Sequence, residues 1–230
     1  MKRLIPLGIT ALVAVVSAAA ALALSGASRP AVPAETSTHM HMNMSSASSS
    51  RAIALRMNMR ALWEDHVSWT RMAVISLINN SPDTKATVAR LLQNQAQIGA
   101  AIKPYYGAAA SRKLTSLLRQ HILIAADIVA AAKKGDKAGV THQEAVWHAN
   151  ADQISAFLSS ANPKNWKLGA LKGMMYEHLG LTTNEVVDYL QHHWAADVHV
   201  YDEINAQALQ MADMLTAGIV AQFPARFGQS

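Results

Sequence analysis

The chain has 230 residues, 51% of them apolar and only 6% aromatic, with a formal charge of +5 and no cysteine. The missing thiols exclude a disulfide framework, a thiolate metal site and a cysteine nucleophile. The basic residues are scattered, with a balance nearer +3 once Lys2 and Arg3 are set aside, and leave no footprint for nucleic acid. Abundant alanine with few aromatics suits close-packed helices better than sheets, so an all-α fold is expected.

Residues 1–27 read as an export segment. Met1-Lys2-Arg3 is a short basic start, the stretch from Leu4 to Leu24 carries no charge, and Ser25-Gly26-Ala27 is a small-x-small site. The apolar run is longer than the about 7–15 residues of a signal core and close to the about 20 that span a bilayer, so signal peptide and N-terminal membrane anchor stand equally. Uncleaved, this segment makes the membrane a partner. Either way the expected location is extracytoplasmic, in the cell envelope or secreted.

Residues 28–50, rich in proline, serine and small side chains, read as a disordered linker. Within it His39, Met40, His41, Met42 and Met44 crowd together. Thioethers favour Cu(I) and imidazoles favour Cu(II), which makes this tract a candidate copper hook. Its plainer reading is a flexible tether.

The body, residues 51–227, carries helical periodicity throughout. A first helix is expected over 51–80, stopped by Asn79-Asn80-Ser81-Pro82, and a shorter one over 82–101. After a Tyr105-Tyr106-Gly107 turn come helices over 108–134, closed by Lys133-Lys134-Gly135, and 137–161, stopped by Asn162-Pro163. A helix over 168–193 is expected to kink near Gly180, with Thr182 and Glu185 as a fresh capping box. The last runs over 195–223, before Pro224. The expected architecture is an up-down bundle of four to five main helices.

LTSLLRQHILIAAD at 114–127 and LKGMMYEHLGLTTN at 171–184 share a pattern. RMAVISLINNSP at 71–82 lies over NADQISAFLSSANP at 150–163 with a small gap. Together they suggest a duplicated helical hairpin. In the first pair a histidine, His121 or His178, sits where the apolar stripe calls for a hydrophobic residue, and His66 does the same in the first helix.

His66, His121 and His178 are therefore candidate metal ligands, with Glu177 beside the last and His199 and Glu203 one helical turn apart on the final helix. Imidazole and carboxylate groups inside a bundle are how ferritin-like metal sites are made, but the Glu-x-x-His pairs of that pattern do not occur. The competing reading is three buried imidazoles satisfied by hydrogen bonds. Arg71 is expected to form an internal ion pair with Asp127 or Asp152. No Gly-x-Ser-x-Gly, phosphate-binding loop or dinucleotide fingerprint is present.

The segments LWEDHVSWTR, IGAAIKPYYG, LLRQHILIAAD, WHANADQISAFL and MMYEHLGLT resemble a family of small bacterial proteins with an N-terminal hydrophobic segment and an all-helical body. The resemblance spans about Leu62 to Phe227 and excludes the His/Met tract. It implies the fold and no mechanism. The glycosyltransferase or acetylglutamate-kinase labels attached to such sequences would require α/β phosphate-binding architecture. The sequence thus points to a non-catalytic envelope protein that binds copper or another transition metal. The alternative is a structural or interaction module without metal, and a metalloenzyme comes third.

Overall fold

The computed structural model describes residues 39–228, so the expected export segment and the first part of the linker lie outside the described residues. Six α-helices follow in order: α1 (His39–Asn79), α2 (Thr84–Ala101), α3 (Lys103–Lys133), α4 (Lys137–Ala161), α5 (Leu168–Leu190) and α6 (Trp194–Gln222). A 3-10 turn, Pro224–Phe227, ends the described chain. The all-α expectation is met. The segment after Pro82 is a full member of the bundle, which brings the helices to six.

Two further details differ from the sequence reading, and a third agrees with it. The helical backbone of α1 begins at His39, inside the segment read as linker. Helix α5 passes Gly180 without a break, and Thr182 Oγ1 donates to the His178 carbonyl instead of capping a new helix. Gly107 leaves the helical conformation (φ 82°, ψ 173°), so the regular part of α3 starts near the expected Ala108.

Each helix packs on its neighbours in sequence, and α6 returns to α1, which closes a ring. Helix α1 also touches α3 and α5 across the middle. The amphipathic stripes explain this arrangement. Burying a Val, Leu or Met side chain contributes about 1.5–3 kcal/mol, more than helix propensity supplies.

The ring is three antiparallel hairpins built on one plan. His66, His121 and His178 recur at intervals of 55 and 57 residues, on α1, α3 and α5. Seven residues before each stands a buried Met59, Leu114 or Leu171, and one residue after each a buried Val67, Ile122 or Leu179. Eight residues after each stands a valine, and Val74, Val129 and Val186 form one core cluster.

Fourteen residues after each histidine, at Asn80, Gly135 and His192, the backbone turns left-handed with φ of 52°, 70° and 61°. The hydrogen bonds match: Ser81 N to Ser76 O, Asp136 N to Ala131 O, and His193 N to Asp188 O, at 3.0, 3.0 and 2.9 Å. This is a Schellman closure at all three places.

The second helix of each hairpin then donates a carboxamide to the carbonyl four residues before the histidine. Asn94 Nδ2 reaches Leu62 O at 2.9 Å, Asn150 Nδ2 reaches Leu117 O at 3.2 Å, and Gln207 Nε2 reaches Met174 O at 2.8 Å. The match of α3 with α5 therefore extends to α1, whereas the expected match of α1 with α4 does not hold.

His192 is the costly member of the three turns, since a left-handed conformation costs an L-residue about 1–2 kcal/mol and glycine nothing comparable. His192→Gly is expected to raise stability by about 0.5–1 kcal/mol, read as a higher urea midpoint. A lower midpoint would show that the stacking of His192 on Trp194, with centroids 5.0 Å apart, outweighs the strain.

Candidate functional site

The shared plan of the hairpins puts the three histidines at one level on the inner faces of α1, α3 and α5. All are buried, at 4, 3 and 4% exposure. The rings of His66 and His178 lie 5.7 Å apart between centroids, and those of His121 and His178 6.2 Å. They share the wall of a cavity of about 40 Å³ with Met59, Met174, Met175, Met211 and Met214. That is room for a few water molecules or an ion.

Each imidazole meets a carboxamide from the second helix of its own hairpin. Asn150 fixes the state of His121. Its amide nitrogen is committed to Leu117 O, so Oδ1 faces His121 Nδ1 at 2.9 Å. An amide oxygen only accepts, so Nδ1 carries the proton and Nε2 is left as a bare lone pair. Nε2 is buried and has no hydrogen-bond partner. The His121 carbonyl is held in turn by Trp147 Nε1 at 3.1 Å.

His66 differs. Gln95 Nε2 lies 3.1 Å from its Nδ1 and also reaches Leu91 O and Asn94 Oδ1 at 3.1 and 3.0 Å, so its two hydrogens are shared among three acceptors. His178 has the Gln207 amide beside it and a buried Nδ1 without a partner. Two unpaired imidazole nitrogens, His121 Nε2 and His178 Nδ1, thus remain inside the bundle, beside the unpaired indole nitrogens of Trp63 and Trp166. Such buried orphans are rare in folded proteins and cost about 1–3 kcal/mol each.

All three rings are held neutral. Burial is the first cause in each case, with the neighbouring imidazoles adding to it for His66 and His121. His66 is pushed well below the ordinary imidazole value, His121 to about 3 against the opposing Asn150 bond, and His178 to about 4 against the opposing Gln207 bond.

No protein-family model, curated protein or solved structure matches the chain.

The other expected ligands stand elsewhere. Glu177 is exposed: it adjoins His178 in sequence but points to another side of α5. His199 and Glu203 pair at 3.8 Å on the outer surface of α6, with side chains 76 and 51% exposed. His39, Met40, His41, Met42 and Met44 lie on the first turns of α1. Among the described residues, no three His, Asp or Glu side chains stand close enough to hold an ion as they are.

Arg71 takes different partners from those expected. Asp127 is exposed and Asp152 binds Lys172 and Tyr176 on the surface. Arg71 Nη1 donates to Glu185 Oε1 at 2.7 Å, and its fork clasps Asp197 at 3.0 and 2.7 Å. Both carboxylates are 2% exposed. The residues that the sequence reading missed are the carboxamides Asn94, Gln95 and Gln207. Their signal was an amide on the next helix, 28 or 29 residues after the histidine, as Asn150 follows His121 by 29.

Proposed function

We propose that this protein is a non-catalytic metal carrier of the cell envelope, with the ion held inside the bundle between His121 and His178 and His66 on the third side. The observation that carries the reading is the bare, buried Nε2 of His121, kept in that tautomer by Asn150. A metal-ligating histidine characteristically gives its other ring nitrogen to an oxygen acceptor in this way. The unpaired His178 Nδ1 lines the same cavity. Rings on one ion stand about 5 Å apart by centroid at ordinary metal–nitrogen lengths, so the 6.2 Å pair must close slightly on loading. The extracytoplasmic location rests on residues 1–27, and the His/Met tract would serve as a capture segment.

Elemental mass spectrometry of the full-length protein with His39→Ala, Met40→Ala, His41→Ala, Met42→Ala and Met44→Ala in its tract, grown with copper, iron, zinc and manganese, tests this. Near-stoichiometric metal is expected, and its loss in His121→Ala with His178→Ala. Affinity should also stay level from pH 7.5 to about 5, because rings that titrate at about 3 and 4 offer no proton to displace. A solvated imidazole site would weaken below about 6.5.

The second reading, an envelope interaction module with a structural histidine layer, is favoured by the pairing of His66 with Gln95. It predicts a metal-free protein, with the same variants changing stability alone.

A further inference from the structure

The cavity that holds the histidines says which ion it would take. Its wall contains thioethers from three helices: Met59 on α1, Met174 and Met175 on α5, and Met211 and Met214 on α6. No Asp or Glu lines it among the described residues. The imidazoles are neutral donors, so nothing in the wall balances the charge of an ion. The cost of charging a desolvated site rises with the square of the charge, so a divalent ion is penalised about four times as heavily as a monovalent one.

The donor count points the same way. Of the unpaired buried ring nitrogens among the described residues, Trp63 Nε1 and Trp166 Nε1 are indole donors, and only two, His121 Nε2 and His178 Nδ1, are imidazole nitrogens. That is too few for a four-coordinate nitrogen–oxygen zinc site. It suits a d10 monovalent ion that accepts few ligands and prefers polarisable ones. Among biological metals, thioether with imidazole selects Cu(I).

We infer that the buried site is specific for Cu(I), bound by His121 Nε2 and His178 Nδ1 with thioether support from Met175 and Met211. This rests on the metal-carrier reading above and adds the oxidation state and the methionines to it. Met175 lies one turn before His178 on the same face of α5, and both methionines are buried. The ion enters and leaves as Cu(I), so no electron transfer is involved.

The test is an anaerobic competition titration with Cu(I) buffered by bicinchoninate, beside titrations with Zn(II) and Cu(II), on the full-length protein with its tract silenced by His39→Ala, Met40→Ala, His41→Ala, Met42→Ala and Met44→Ala. Cu(I) is expected to bind with one-to-one stoichiometry and at least about 1,000-fold tighter than Zn(II). Met175→Leu with Met211→Leu conserves volume. It is expected to lower Cu(I) affinity about 100-fold and to remove sulfur from the copper X-ray absorption spectrum.

Zn(II) or Cu(II) bound as tightly as Cu(I), and lost in His121→Ala with His178→Ala, would overturn the Cu(I) assignment and leave the carrier standing. An unchanged Cu(I) affinity in the double Met→Leu variant would overturn the thioether role. Failure to bind any of the three ions, or Cu(I) binding that survives loss of both histidines, would overturn the assignment and the carrier reading together. His178→Gln, whose urea midpoint reports folding independently, replaces the double alanine variant if that one does not fold.

Discussion

Without metal, the bundle is expected to lose stability steeply as the pH falls below about 6.5. The three buried rings are neutral when folded, with His121 and His178 held at about 3 and about 4 by burial, while an unfolded chain titrates them near the ordinary imidazole value. Depressed values of this kind give stability that is present above the unfolded value and lost as the pH falls towards the folded one. The unfolded state then binds up to three more protons than the folded state.

Glu185 works in the opposite direction. Burial raises it to about 7, against the pull of Arg71, so between pH 4.5 and 7 the folded state holds a proton that the unfolded state lacks. Its contribution is fully present below 4.5 and is lost as the pH rises through 7. The two effects together put maximum stability near pH 6.5. Below that, a net difference of two protons gives a slope of about 3 kcal/mol per pH unit. A domain stability at the lower end of the usual about 5–15 kcal/mol would be spent by roughly pH 4.

Urea midpoints from pH 7.5 to 4.5, with chelator present, measure this. Glu185→Gln should steepen the acid limb towards about 4 kcal/mol per unit, since it removes the opposing proton. A stability that stays level down to pH 4.5 would show that the rings become charged within the fold and that the layer is wet. Metal, if bound to the folded state alone, should move the whole acid limb to lower pH.

The helices were legible because their punctuation is local. Asn79-Asn80-Ser81-Pro82, Gly135 and Asn162-Pro163 each stop a helix by backbone chemistry, and α4 runs over the expected residues. The third turn was placed within a few residues, between 193 and 195, but its left-handed closure was hidden, since His192 enters that region with no glycine or asparagine to announce it. That same substitution concealed the threefold plan.

The one-residue offset of Asn94 concealed it further. It shifts the register of α2 against α4 and α6, while hydrogen bonding to Leu62, Leu117 and Met174 shows the equivalence. The three histidines were legible as polar interruptions of apolar stripes. Glu177 and the His199–Glu203 pair misled for an opposite reason. Proximity in sequence put them near the site, but their places around the helix turn them to solvent. The partners of Arg71 were beyond reach because Glu185 and Asp197 lie more than a hundred residues away, joined only by the closing of the ring.

Arg71→Met is expected to destabilise the protein by about 3–5 kcal/mol at pH 7.5, the range for removing one member of a buried ion cluster. The guanidinium bonds two carboxylates from α5 and α6 and packs over the Tyr201 ring at 4.8 Å, so it links three helices at the seam where the ring closes. Its own ionisation is strengthened by the Asp197 bond first and by Glu185 after it. Without it, Glu185 and Asp197 would face each other with no cation between them.

The deficit should shrink at pH 5.5, where Glu185 takes up a proton and relieves part of the repulsion. Arg71→Lys should recover only part of the loss, because an ammonium cannot reproduce the two-pronged hold on Asp197. Arg71→Met with Glu185→Leu should lie closer to the native protein than Arg71→Met alone, since one stranded carboxylate is removed with the cation. Equal deficits for single and double variants would mean that Asp197 carries the whole requirement for Arg71. The contact with Glu185 would then be incidental to closing the ring.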